Sequence, residues 1–277
     1  MVDPLGAKKS VEINGDNISY SEAGSGETII FIHGITTYSF IWQNIIPQFS
    51  NDYHTISIDL LGCGDSDKPL NEDYSLTSHA ERLFEFVKAL NISKFHLVGH
   101  DLGGGVTQIF SVNHPEYLYD LTVINSVAYD FWPVQPIIAM RTPVIRQLAM
   151  ATLDLGVFKL IVQRGLFNKD RVTDDLMKHF WKPMLTLEGR KAFLHFAECL
   201  DNKNLIDISD KLHKTEIPML IIRGENDVYL SSEIARKLHS NIPTSKLVLI
   251  PNAGHFIQVD EPELVSNTIL EFYRKTQ

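Results

Sequence analysis

The sequence predicts an α/β protein: a mostly parallel twisted sheet flanked by helices, with a helical cap inserted between two of its strands. Three observations predict it. Short apolar runs alternate with stretches of helical period, and strands covered by helices on both faces read as continuous apolar runs. Between Asp130 and Lys214 the alternation stops, and helical stretches rich in Met, Phe, Trp and Leu replace it. Several runs also end in loops with polar residues able to do chemistry, at the strand ends where open α/β sheets place ligands.

Residues 11–13 and 18–20, joined by the turn 14–17, predict an antiparallel hairpin that starts the sheet. The runs 28–32, 55–58, 95–98, 121–124, 219–222 and 247–250 each predict a buried strand ending at a turn. Helices are expected over 78–90, where Leu83, Phe84, Val87 and Leu90 share a face, and over 103–112, 232–238 and 262–275, with Pro262 suited to a first turn. Pro133, Pro136 and Pro143 punctuate the entry to the insertion, and Pro218 its exit. The expected domains are a core over 1–129 and 215–277 and a helical cap over 130–214.

Composition narrows the partners. Against 25 Lys and Arg stand 34 Asp and Glu, a net charge of −9, which argues against a nucleic-acid surface and a polybasic membrane patch. Cys63 and Cys199 lie far apart and have no metal-ligand spacing, so free thiols in a reducing compartment are expected. No stretch approaches 18 apolar residues, and the first nine residues lack the apolar core of a signal peptide. The expectation is a cytoplasmic protein without metal or organic cofactor, acting on a small, mostly apolar organic molecule and water.

The chemistry centres on Val98-Gly99-His100-Asp101-Leu102-Gly103-Gly104-Gly105, a G-x-S-x-G nucleophile elbow with an aspartate where serine would stand. A carboxylate of ordinary pKa, about 4, is ionised at neutral pH and can attack without a base. Attack on a saturated carbon bearing a leaving group would form an alkyl ester on Asp101, which water must then release. After the strand ending at Ile222 comes Asp227, and after the one ending at Ile250 comes His255. The chain order of nucleophile, acid and histidine suits this design. His255 would take a proton from the attacking water, and Asp227 would fix its tautomer and stabilise the imidazolium. Glu225 and Asp130 are weaker acid candidates, and Asn125 occupies the other point where an acid could stand. Backbone N–H groups of Ile35, after His33-Gly34, and of Leu102 would form an oxyanion cradle.

The elbow, the His33-Gly34 turn, the Asp59-Leu60-Leu61-Gly62-Cys63-Gly64-Asp65-Ser66-Asp67-Lys68-Pro69 stretch and the loops of Asp227 and His255 together resemble the α/β-hydrolase superfamily, in the branch of haloalkane dehalogenases and epoxide hydrolases. The resemblance implies a covalent alkyl-ester mechanism, foremost on carbon–halogen bonds. Epoxides, then esters or lactones, then ligand binding without turnover are the alternatives. Departures bear on substrate. Dehalogenases of this branch generally carry Trp after the nucleophile and Asn or Glu after His-Gly, where this chain has Leu102 and Ile35. Epoxide hydrolases generally present two cap tyrosines, or a His and a Tyr, to the epoxide oxygen, yet residues 130–214 contain no tyrosine; Tyr129, Tyr38 and Tyr229 lie outside. Fluoroacetate-type enzymes carry arginines near the nucleophile, where Gly104 and Gly105 stand here. Trp132, Trp181, Tyr129 and Tyr38 are the expected pocket residues, with His179, His195 and Arg141 the other polar cap groups considered.

Overall fold

The computed structural model describes residues 3–131 and 158–276. Eight strands form one sheet in the order β1-β2-β4-β3-β5-β6-β7-β8. They are β1 (Ala7–Ile13), β2 (Asp16–Ala23), β3 (Glu27–Ile32), β4 (Tyr53–Ile58), β5 (Phe95–His100), β6 (Leu118–Ile124), β7 (Met219–Gly224) and β8 (Ser245–Ile250). Strands β1, β2 and β4 pair antiparallel, and every pairing from β4 through β3 to β8 is parallel. The middle strands are apolar throughout because they are covered on both faces: Ile29, Ile30, Phe31, Ile32, Leu97, Val98 and Leu220 are fully buried.

The opening hairpin differs from the expectation in its turn. Only Asn14 and Gly15 connect the strands, both at positive φ (55° and 92°), so Ile13 pairs directly with Asp16. Two left-handed residues make the tight turn that matches strand twist, and Asn-Gly is its preferred sequence. Strand β8 also differs. Only Ile250 is fully buried, because β8 is the last strand of the sheet and has a single neighbour.

Helices α1 (Leu76–Ala89) and α2 (Leu102–Asn113) pack on each other, and α2 also lies against β5 and β6. Helix α1 begins two residues before the sequence suggests, because the Ser75 side chain caps it by accepting from the Ser78 N–H. Between β6 and β7 the described residues form α3 (Phe158–Gly165), α4 (Asp174–Trp181), α5 (Leu187–Cys199) and two single turns, α6 (Lys203–Ile206) and α7 (Ser209–Leu212), with no strand among them. Trp132 and Arg141 lie outside the described residues. Helix α8 (Ser232–Asn241) covers β7 and β8, and α9 (Ile257–Asp260) leads into α10 (Pro262–Thr276). Among the described residues no helix is long and apolar enough to cross a membrane. Cys63 and Cys199 are free.

Candidate active site

Asp101 occupies the turn from β5 into α2 with φ 54° and ψ −120°, a conformation that few residues other than glycine adopt. Close packing enforces it. A Cβ on Gly103 would meet the Ile32 and His33 carbonyls at 2.4 Å, and one on Gly104 would meet Ser126 Oγ at 2.1 Å. Glycine at these positions lets α2 press against β3 and the β6 loop, which leaves the strained turn no room to relax.

The loop after β3 brings the first donor. Ile35 N–H donates to Asp101 Oδ2 at 3.2 Å, and the Leu102 N–H at the start of α2 also acts on the carboxylate. Asp101 is buried, and burial pushes its carboxyl above the ordinary range, while His255 and the two N–H groups pull it back down. The ordinary value expected from sequence is therefore displaced upward by desolvation. His33 holds the loop: its Nε2 accepts from Leu60 N–H at 3.0 Å, so its Nδ1 carries the proton and donates to Gly34 O at 2.7 Å. Burial keeps His33 neutral. Below it, Asp59 accepts from Ser39 N–H (2.8 Å) and Asp65 N–H (2.9 Å), the structural part of the 59–69 stretch.

The loops after β7 and β8 meet across the site. His255 Nδ1 and Asp227 Oδ2 stand 3.0 Å apart, so a neutral imidazole donates from Nδ1 and presents Nε2 as a lone pair. Asp227 Oδ1 accepts from Tyr229 N–H (2.8 Å) and Leu230 N–H (3.1 Å). Burial alone would raise the Asp227 carboxyl, but His255, the Arg223 guanidinium and the Tyr229 N–H hold it down at about 2. Burial pushes His255 down while Asp227 and Asp101 push it up more strongly, for a net rise. Glu225 and Asp130 are exposed. Asn125 braces the two loops: its amide donates to the Gly254 and His255 carbonyls (2.8 and 2.9 Å) and accepts from Gly224 N–H at 2.8 Å.

The histidine's backbone is fixed on every side. Its carbonyl also accepts from His100 Nε2 at 2.9 Å, and its N–H donates to Gly165 O at 2.7 Å at the end of α3. Buried Asp260 accepts from Gly254 N–H (2.8 Å), Phe167 N–H (2.9 Å) and Asn168 N–H (3.0 Å), tying the histidine loop to the insertion.

The expected pocket residues among the described ones, Tyr38, Tyr129 and Trp181, make different contacts. Tyr38 is buried with its hydroxyl 3.3 Å from His179 Nδ1 of α4. Tyr129, at φ 57°, has its hydroxyl 3.1 Å from His213 Nε2 and accepts from Asn241 Nδ2 at 3.2 Å, on the side of α8. Trp181 packs on Phe158, ring centroids 5.3 Å apart. His195 Nε2 donates to Glu72 O at 2.7 Å. An aromatic wall runs from Phe256, beside His255, through Phe180 to Phe40, each step 5.0 Å between centroids, and His179 stacks on Phe40 at 5.3 Å. The sequence pattern assigns no role to Arg223, Asp260 or the bracing amide of Asn125, although an arginine directly after the apolar run Met219-Leu220-Ile221-Ile222 is a visible anomaly. Among the described residues no three His, Cys, Asp or Glu side chains are grouped to hold a metal.

Comparison with known proteins agrees with this architecture. The family model for the alpha/beta hydrolase fold matches residues 27–262. The chain belongs to the α/β-hydrolase family. An uncharacterized protein of Mycobacterium tuberculosis is 29% identical to this hydrolase, covering 96% of the chain and 80% of that relative. Epoxide hydrolase 3 of Xenopus tropicalis is 25% identical, covering 96% and 77%. Among solved structures, the haloalkane dehalogenase DbeA from Bradyrhizobium elkani superposes with a TM-score of 0.86 at 21% identity, covering 98% of each chain. The hydrolase thus shares its fold with proteins that act on quite different bonds.

Proposed function

We propose that this hydrolase uses Asp101 as a covalent nucleophile, with carbon–halogen bonds as its first class of substrate. The observation that carries the reading is the Ile35 N–H on Asp101 Oδ2. With Oδ2 in the cradle, Oδ1 attacks the carbon, a C–O bond forms, the C–X bond breaks and halide leaves. His255 Nε2 then takes a proton from water, and the resulting hydroxide adds to the ester carbonyl carbon. The negative charge of that tetrahedral intermediate falls on Oδ2, where the N–H groups of Ile35 and Leu102 stabilise it. Collapse expels the alkoxide, which takes the proton from the imidazolium. Alcohol leaves, and Asp101 is left as a carboxylic acid carrying one oxygen from water; that acid gives up its remaining proton to solvent and the carboxylate is restored.

The same geometry supports the roles of Asp227 and His255 in this reading. A buried carboxylate on Nδ1 fixes the tautomer that leaves Nε2 free and stabilises the imidazolium. The aromatic wall beside His255 suits a mostly apolar substrate, and the two free thiols suit a reducing, cytoplasmic setting. We keep the division into a core and a cap over 130–214 as part of this reading.

Epoxides are the second reading, favoured by one observation. Tyr38, three residues after Ile35, pairs its hydroxyl with His179 of α4, and burial holds the phenol well above its ordinary value. It is therefore a protonated donor of the kind an opening epoxide oxygen needs.

Mass spectrometry of His255→Gln after incubation with halide and epoxide panels tests the covalent step. The expected result is a stable alkyl adduct on the peptide carrying Asp101. If no panel member that the parent enzyme consumes leaves an adduct, covalent catalysis by Asp101 is wrong.

A further inference from the structure

Arg223 stands near the end of β7 with 2% of its side chain exposed. Its Nη1 lies 3.1 Å from Asp227 Oδ2, the same oxygen that faces His255 Nδ1 at 3.0 Å. Its Nη2 donates to the Leu230 carbonyl. A carboxylate can orient an imidazole without help, and burying a guanidinium is unfavourable unless its charge is used. The covalent reaction proposed above supplies the use.

In the resting site His255 feels two carboxylates, Asp101 and Asp227. Two buried negative charges favour the imidazolium, which cannot take a proton from water. Arg223 cancels one of them, so that with a neutral imidazole the buried set carries one net negative charge. Alkylation turns Asp101 into a neutral ester, and the set then carries none. Without Arg223 a negative charge would remain on Asp227 through ester breakdown and hold a proton on His255.

We propose that Arg223 is a positioning residue for this reaction: by sharing Asp227 Oδ2 with His255, it balances that carboxylate's charge and leaves the imidazole free to act as a base on the ester intermediate. The inference rests on the covalent reading for its purpose but not for its electrostatics. Arg223 works against the rise of His255 and for the depression of Asp227. The other groups facing His255 do not replace it. His100, 4.9 Å away between ring centroids, is held neutral by burial, with its midpoint at about 3. The Tyr229 ring lies at 5.3 Å, and burial pushes its phenol up to about 12, with Arg164 of α3 opposing. Asp260 is engaged by three backbone N–H groups.

The test is the titration of the His255 imidazole, followed by NMR in the substrate-free enzyme and assigned by its loss in His255→Gln. Arg223→Gln keeps a donor for the Leu230 carbonyl and removes the charge; Arg223→Lys keeps the charge and removes the fork. The expected result is a His255 midpoint raised by about one unit in Arg223→Gln and close to the parent's in Arg223→Lys. The acid limb of ester breakdown should move with it. An unmoved midpoint in Arg223→Gln, or an equal shift in Arg223→Lys, overturns the assignment whatever turnover does. A midpoint that shifts as expected while no ester forms on Asp101 overturns the covalent reading and upholds the charge balance.

Discussion

Gly34 passes so close to Asp101 that a β-carbon on it would stand 2.4 Å from the carboxylate Oδ2. Any side chain there must push the Asp101 carboxylate off the Ile35 N–H or the Ile35 N–H away from it. Gly34→Ala is expected to lower kcat by about 100-fold or more, the loss typical of one missing oxyanion donor. Steady-state kinetics beside a thermal melt checks this: an active Gly34→Ala enzyme would mean that the cradle has no role.

Asp101→Asn should separate stability from activity. Desolvation makes the buried carboxylate costly to ionise, and Asn tolerates positive φ better than most residues. Turnover should vanish while the melting temperature rises or holds, as when a strained, charged active-site group is neutralised. A fall of several degrees would mean that the carboxylate supports the fold.

Asn125→Asp tests whether the acid could sit after β6. The Asn125 amide donates to two carbonyls of the histidine loop, and a carboxylate would face both with no proton to offer. Losing two buried hydrogen bonds and opposing two acceptors should cost about 3 kcal/mol or more. Combining Asn125→Asp with Asp227→Asn should therefore not restore turnover, which an activity assay with urea unfolding will show.

Acid should destabilise the protein earlier than its carboxylates alone would. Burial pushes His79 and His100 down from the ordinary 6.5 to about 3. Below 6.5 the unfolded chain binds the protons that the folded one refuses, so stability falls with falling pH down to about 3. Each group contributes up to about 1.4 kcal/mol per pH unit across that window. Asp227, depressed from 3.8 to about 2, adds a loss only below 3.8. His255, which is raised, adds stability below 6.5 that is lost as pH climbs through its folded midpoint. Urea midpoints between pH 7 and 4 should show a shallower slope in His79→Leu than in the parent. Equal slopes would remove His79 from the account.

Much of this was legible because it depends on local pattern. The runs at 28–32 and 95–98 read as strands since burial on both faces demands continuous apolar residues. The elbow, Asp227 and His255 were legible because a turn of fixed geometry needs glycines at fixed offsets. What escaped depends on distance in space. The partial exposure of β8 follows from strand order, which no single run contains. Asn125 and Asp260 are ordinary polar letters until the fold places backbone groups from loops as far as 130 and 93 residues away against them. Tyr38 stands out in sequence because it follows the His33-Gly34 turn, but its pairing with His179, 141 residues on, is visible only in the fold.

The Gly165 carbonyl accepts from both His255 N–H and Phe256 N–H, so the histidine's main chain is moored to the insertion as firmly as to the sheet. Transplanting another roof onto this scaffold therefore means carrying over that one carbonyl. A graft that omits it would inherit Asp101, Asp227 and His255 and still leave the His255 and Phe256 N–H groups without their acceptor.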